Sequence, residues 1–222
     1  MTNIYCRVIK SSYNSNMYKG EKFNSISHLI GAVLALIGVS YLLSIAIAKE
    51  DAIKIIGFGI YGAMMIFLYL TSTIYHSLKL GKWKDFFRQM DYISIYLMIA
   101  GSYTPFTLIT LPGAWGWTLF AIIWGLAAIG IAQEVIIGKK TRRYSLIIYL
   151  LMGWLIVVAI KPLIASLNQA GFMWLVAGGL AYTFGVIFFV FDEKVKHFHG
   201  IWHLFVLAGS ICQFFCLFLF VA

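Results

Sequence analysis

The chain has 222 residues, of which 62% are hydrophobic and 11% charged, and its mean hydropathy is +0.89. Because a soluble domain carries about 25% charged residues, this composition excludes an ordinary soluble protein and indicates a polytopic membrane protein. The formal net charge is +9, but the basic residues lie in short segments between apolar runs instead of along one solvated face, which argues against a nucleic-acid partner.

The amino-terminal segment is polar and differs from the rest of the chain. Residues 1–20 are rich in Asn, Ser and Lys, and we expect them to form a cytoplasmic tail ahead of a single transmembrane domain, residues 21–222. This segment has no apolar h-region followed by a small-residue cleavage site, so we expect no cleaved signal peptide. The first membrane span is then expected to direct its own insertion.

Seven apolar stretches can cross a hydrocarbon core of about 30 Å, which takes about 20 helical residues each. In chain order they are residues 26–48, 55–78, 92–111, 115–137, 145–160, 172–191 and 201–221. The fifth is short and is expected to extend past Lys161 and Pro162 if it spans fully. Continuous apolar runs favour helices over barrel strands, which would alternate. The predicted fold is an all-α, seven-helix bundle in the bacterial plasma membrane.

The distribution of basic residues predicts the orientation of this bundle. With a cytoplasmic amino terminus, only three of the 17 basic residues face outside, namely Lys49, Lys54 and Lys161. Under the positive-inside rule this bias predicts a cytoplasmic amino terminus and an external carboxyl terminus. The same topology places His28, His76, Asp91, His199 and His203 near the cytoplasmic end of the bundle, although they lie far apart in sequence.

Three of these histidines have the pattern of a metal site. His199 and His203 are four residues apart, so both imidazoles lie on one helical face and can reach one ion. His76, at the end of the second span, can supply a third nitrogen, and three protein ligands leave a fourth position for water, as in catalytic zinc sites. The alternative is that these histidines are interfacial residues facing lipid headgroups.

Other polar residues fall near the same level. Asp91, which we expect to open the third span, is the carboxylate that could act on water as a base, and Ser72 lies one turn before His76. The Ser72 hydroxyl could instead bond to its own helix four residues back. Glu21, Asn24 and His28 share one face at the start of the first span, where they either cover the site or form a capped, hydrated helix start.

These motifs together resemble the hemolysin III family, the bacterial branch of the progestin and adipoQ receptor superfamily, which includes the adiponectin receptors and is related to alkaline ceramidases. The ordered set is Glu21-x-x-Asn24-x-x-Ser27-His28, Ser72-x-x-x-His76, Asp91 and His199-x-x-x-His203, with the stretch from Ile95 to Phe106 and the run from Trp202 to Ser210. The similarity covers about residues 20 to 222.

The resemblance implies that His76, His199 and His203 hold Zn²⁺, that Asp91 contacts the zinc-bound water, and that Ser72 lies beside the site. It also implies amide hydrolysis of ceramide-like lipids. Tyr92 and Gln213 stand where bacterial members often carry histidine, and we expect these departures to alter the surroundings of the site or the substrate, not the ligands.

Three functions are consistent with these residues. The first is a zinc-dependent hydrolase of a membrane-lipid amide or ester, with Asp91 as base. The second is a hemolysin that lyses target membranes, although the spans carry no repeated ring of charge that would line a pore. The third is a receptor or regulator in which zinc is structural. Membrane lipids are the expected partners in each case, and the sequence specifies no oligomeric state.

Overall fold

The computed structural model describes residues 21–111, 113–137 and 142–222, so the predicted tail, residues 1–20, lies outside the described residues. All regular elements in these ranges are helices. They are α1 (Glu21–Ala48), α2 (Ala52–Ser77), α3 (Lys82–Pro105), α4 (Ala114–Ile137), α5 (Arg142–Trp154), α6 (Ile160–Ser166), α7 (Gln169–Phe191) and α8 (Phe198–Phe220). A π-helical turn, Phe106–Thr110, extends α3, and a 3₁₀ segment, Leu155–Ala159, joins α5 to α6.

The prediction of an all-α protein with seven membrane spans is confirmed. Seven stretches of helix in the described residues are long and apolar enough to cross a membrane, with α5, the 3₁₀ segment and α6 together forming the fifth. That span continues past Lys161 and Pro162 to Ser166, as expected if it crosses fully. Pro162 lies in the first turn of α6, where its missing N–H would have no helical partner in any case.

The predicted start of the third span is wrong. The apolar stretch begins near residue 92, but α3 begins at Lys82, so Asp91 lies about 13 Å along the helix, at 1.5 Å per residue, instead of opening it. Hydropathy detects only the apolar part of a helix. The first turns of α3 are polar and extend toward the membrane surface. Lys84 in these turns is buried, and its ammonium donates to Glu21 of α1 and to the carbonyl oxygen of Tyr75 in α2.

Glycines allow close approach between neighbouring helices. A Cβ added to Gly62 in α2 would lie 2.1 Å from Cγ1 of Val39 in α1, and one added to Gly209 in α8 would lie 2.7 Å from the ring of Tyr182 in α7. In lipid, where apolar burial drives little association, close packing of this kind is a main source of helix–helix attraction. These contacts bring α1, α2, α7 and α8 together, and these four helices carry most of the candidate site.

The effect of filling one such contact is testable. Gly62→Ala is expected to destabilise the protein by about 1–3 kcal/mol, because the methyl group overpacks against Val39. The matched control is Gly59→Ala on the same helix, since nothing lies within 4 Å of a Cβ there and alanine has the better helix propensity. Thermal unfolding in detergent measures both variants, and equal midpoints for the two would contradict the packing role of Gly62.

Candidate metal centre

The three predicted histidines converge at one end of the bundle. His76 lies in the last turn of α2, and His199 and His203 lie in the first two turns of α8. One ligand nitrogen from each lies within 4.8 Å of the other two, and the three ring centroids are 4.9–5.0 Å apart. His76 and His203 are buried, with 2% and 1% exposure. This group can hold a metal ion.

Each of these imidazoles is bonded on its outer side by an acceptor. His76 Nδ1–H donates to the Glu21 carboxylate, and His199 Nδ1–H donates to Asp192 Oδ2 at 2.6 Å. His203 Nδ1–H donates to the carbonyl oxygen of Asn24 at 3.1 Å. Since acceptors fix the proton on Nδ1, the Nε2 atoms remain as the inward-facing nitrogens, which is the pattern that surrounds metal-binding histidines.

The chemistry of this donor set fits a zinc ion. His76 Nε2 and His199 Nε2 lie 3.3 Å apart, and ligands at 2.0–2.1 Å from a tetrahedral zinc lie about 3.3 Å from each other. Neutral imidazoles with Nδ1 protonated direct Nε2 lone pairs at one another, an arrangement that a cation stabilises. Three imidazoles suit zinc better than magnesium or calcium, which prefer oxygen ligands.

Asp91 and Ser72 lie beside the three histidines. Ser72 is buried on α2, one turn before His76, and its hydroxyl lies near the Asp91 carboxylate. Asp91, from α3, is also close enough to His76 and His199 to interact with both electrostatically. The carboxylate and the three imidazoles line the same cavity. The site therefore combines three nitrogen ligands with a carboxylate and a neighbouring serine hydroxyl.

The first turns of α1 contact the site from the cytoplasmic end predicted by the basic-residue bias. Glu21 accepts hydrogen bonds from His76 and, at 3.3 Å, from the Lys84 ammonium. Asn24 contributes its backbone carbonyl to His203. His28 is buried and stacks on His203, with ring centroids 3.6 Å apart. Glu21 is the first residue of α1, Asn24 and His28 follow in its first two turns, and all three lie against the histidine cluster.

Two residues that bond to this group of side chains were not predicted from the sequence. Asp192 follows α7 directly and bonds to His199 in α8 across the connecting loop, so helical spacing does not predict the contact and it depends on how the loop folds. Lys84 lies in a segment that the hydropathy pattern placed in a loop. Its ammonium also donates to the carbonyl oxygens of Tyr75 and Leu78, at 3.1 and 3.2 Å, so it holds the end of α2 next to Glu21.

A long cavity extends from this site through the bundle. Its volume is about 810 Å³, and it is lined at one end by the histidines and Asp91. The lining residues extend from Phe172 in α7 to Asp192 just after its end, which corresponds to about 30 Å along the helix axis and therefore to the thickness of a bilayer core. At the far end the lining is apolar and includes Leu163, Phe172 and Leu175. The cavity is therefore polar at the end near the histidines and apolar at the other end.

Comparison with known proteins agrees with this architecture. The family model described as Haemolysin-III related matches residues 16–214. The chain is 45% identical to Hemolysin-3 of Bacillus cereus over 212 residues, 96% of each chain, and 43% identical to the Hemolysin-3 homolog of Bacillus subtilis (strain 168) over 198 residues, 89% of this chain and 92% of the relative. It is also 29% identical to the human Monocyte to macrophage differentiation factor over 203 residues, 87% and 81% of the two chains. The chain therefore belongs to the Haemolysin-III related family and is a multi-pass membrane protein.

Proposed function

We propose that this member of the haemolysin III family is a zinc-dependent hydrolase of a membrane-lipid amide or ester. One observation carries the proposal. Three inward-facing imidazole nitrogens and the Asp91 carboxylate lie at one end of a cavity that is apolar at its other end. A lipid bound there would place its carbonyl group at the polar end and its acyl chain between the helices.

The residues around the site have distinct roles in this proposal. His76, His199 and His203 would hold the zinc ion, which when bound supplies a Lewis acid that polarises a carbonyl oxygen and lowers the pKa of water toward 7. Asp91 takes the proton of the attacking water as general base and delivers it to the leaving amine or alcohol as general acid. Ser72 lies near the Asp91 carboxylate, and in this role its hydroxyl would donate to that carboxylate and orient it.

The direct test is release of fatty acid by the purified protein. Wild type in detergent is incubated with an N-acylsphingosine as the amide and with phosphatidylcholine as the ester, and free fatty acid is measured by mass spectrometry. We expect release from at least one of the two, loss of release after treatment with a chelator, and recovery on addition of zinc. Equal release before and after metal removal would contradict a metal-dependent hydrolase.

A second candidate function is membrane lysis, favoured by the name Hemolysin-3 of the Bacillus cereus relative. The cavity does extend along the bundle, but the end far from the histidines is lined by Leu163, Phe172 and Leu175. Apolar walls without a ring of charged side chains do not form a path for ions. Leakage of dye from phospholipid vesicles distinguishes the two functions. Leakage that is independent of zinc and unaffected by Asp91→Asn would favour lysis.

The Asp192 carboxylate is expected to strengthen metal binding. Asp192→Asn removes the charge that orients His199 and increases the basicity of its free nitrogen, so we expect zinc affinity to fall about 10–100-fold. Competition with a chromophoric chelator measures this affinity without any substrate. The control is Asp51→Asn at the opposite end of the bundle, where asparagine can still cap α2 in place of the carboxylate that accepts from Lys54 N–H at 3.0 Å. If both variants bind zinc as wild type does, Asp192 has no such role.

A further inference from the structure

Beside the middle of the cavity lies a group of polar side chains that the proposed hydrolysis does not use. Ser210 and Gln213 lie on one face of α8, about 10 and 15 Å along the helix from His203 at 1.5 Å per residue. Tyr69 donates to Ser210 at 2.7 Å, and the hydroxyls of Tyr182 and Ser210 are 2.9 Å apart. Tyr182 and Gln213 line the cavity. This level of the bundle lies well inside the bilayer, where polar groups are costly unless they are paired.

The Gln213 amide oxygen differs from the hydroxyls of Ser102, Tyr103 and Thr183, which line the same cavity, because each of those hydroxyls has a backbone acceptor. Ser102 donates to the carbonyl oxygen of Ile99, Tyr103 to that of Met152, and Thr183 to that of Gly179. The Gln213 side chain is only 9% exposed, yet its amide oxygen makes no hydrogen bond within the described part of the chain. An unpaired amide oxygen in a low-dielectric interior is destabilising. Because a half-turn of the terminal torsion exchanges the amide oxygen and nitrogen, and because Gln213 lines the cavity, the amide can turn its oxygen to a group bound there.

The surroundings of Gln213 restrict what that group can be. The cavity lining is apolar on the side toward the metal centre, at Val206, and again on the far side, at Leu175 and Phe172. A ligand that fits is therefore an apolar chain with one polar substituent part of the way along it. A hydroxyl both donates and accepts, so it can bond the glutamine amide in either orientation, and the terminal torsion of glutamine turns easily.

We propose that Gln213 recognises a hydroxyl group borne near the middle of the acyl chain of the lipid that the cavity takes. An extended chain advances about 1.25 Å per carbon, given C–C bonds of about 1.5 Å, so the 15 Å between His203 and Gln213 corresponds to roughly carbon 12 when the carbonyl group lies at the histidines. This inference rests on the proposed function only in taking the cavity as the acyl-chain site, and it requires no turnover.

Binding of three fatty acids to the full-length protein in detergent tests the proposal. The probes are octadecanoate, 12-hydroxyoctadecanoate and 18-hydroxyoctadecanoate, and competition against a fluorescent fatty acid gives the three affinities. We expect the 12-hydroxy chain to bind roughly fivefold to tenfold more tightly than the unsubstituted chain, the effect of one net hydrogen bond. The 18-hydroxy chain is expected to bind more weakly than octadecanoate, because its hydroxyl would enter the apolar end of the cavity.

Two variants assign the preference to Gln213. Gln213→Leu keeps the volume of the side chain and is expected to bind octadecanoate at least as well as wild type while losing the preference for the 12-hydroxy chain. Thr183→Val is the control, since Thr183 lines the same cavity but its hydroxyl is already bonded to its own helix, and it is expected to keep the preference.

Two results would overturn the proposal, namely equal binding of the 12-hydroxy and unsubstituted chains by wild type, or a preference that persists in Gln213→Leu. Either outcome leaves the hydrolase proposal standing, because that proposal concerns the other end of the cavity. Conversely, a protein that binds the 12-hydroxy chain through Gln213 but releases no fatty acid from any lipid would refute the hydrolase and retain the chain specificity.

Discussion

Asp91→Asn is expected to lower the turnover of a lipid amide or ester by roughly 10²–10⁴-fold, the usual contribution of a general acid–base group. An amide cannot accept the proton of the attacking water, although asparagine keeps the size of the side chain and can still bond to Ser72. Rates of fatty-acid release by wild type and variant at equal zinc content measure the effect.

The zinc content of the Asp91→Asn protein separates this role from that of a metal ligand. We expect the variant to retain zinc, because three imidazoles remain in place, and to keep its thermal midpoint within a few degrees of wild type. Ser72→Ala serves as a graded comparison, since it leaves the carboxylate but removes the hydroxyl that lies near it, and its loss of turnover should be smaller. An Asp91→Asn protein with full turnover would exclude the proposed mechanism.

His203→Ala is expected to abolish the stabilisation that zinc gives to the fold. Zinc held by His76 from α2 and by His199 and His203 from α8 joins two helices that are distant in sequence, so its binding free energy adds to folding stability. At a free zinc concentration 100 times the Kd, the gain for wild type is about 2.7 kcal/mol. His203→Ala removes one of three nitrogens and should show almost none of this gain.

Thermal unfolding in detergent, with zinc and with a chelator, measures that stabilisation. The control is His197→Asn, because His197 is exposed at the start of α8 with a φ of 72°, a conformation that asparagine tolerates and alanine does not. His197→Asn should respond to zinc as wild type does. A response to zinc that is equal in wild type and His203→Ala would mean that the ion binds elsewhere.

The sequence predicted most of what depends on hydropathy and spacing. Seven spans follow from apolar length, and His199 and His203 share a face because four residues make about one turn. Convergence of His76 with that pair follows once the ends of the spans are assigned to one level, and the three side chains do meet in the structure. Their role as metal ligands stays a prediction.

The features that the sequence did not predict are those that depend on polar helix ends and on loops. The hydropathy pattern does not predict that α3 begins at Lys82, because the first turns of this helix are polar. They are stabilised by hydrogen bonds from the Lys84 ammonium to Glu21 and to backbone carbonyls of α2. Asp192 reaches His199 only because the loop between α7 and α8 folds back. The cavity depends on side-chain packing between helices, which periodicity does not specify.

The central claim is that the three histidines hold a catalytic zinc ion, and elemental mass spectrometry tests it most directly. Wild type and the double variant His199→Ala, His203→Ala are purified in detergent without added metal or chelator, and zinc is measured per chain. We expect about one zinc per wild-type chain and none above background in the double variant. Wild-type protein that is folded but contains no stoichiometric metal, and takes up none when zinc is added, would contradict this claim.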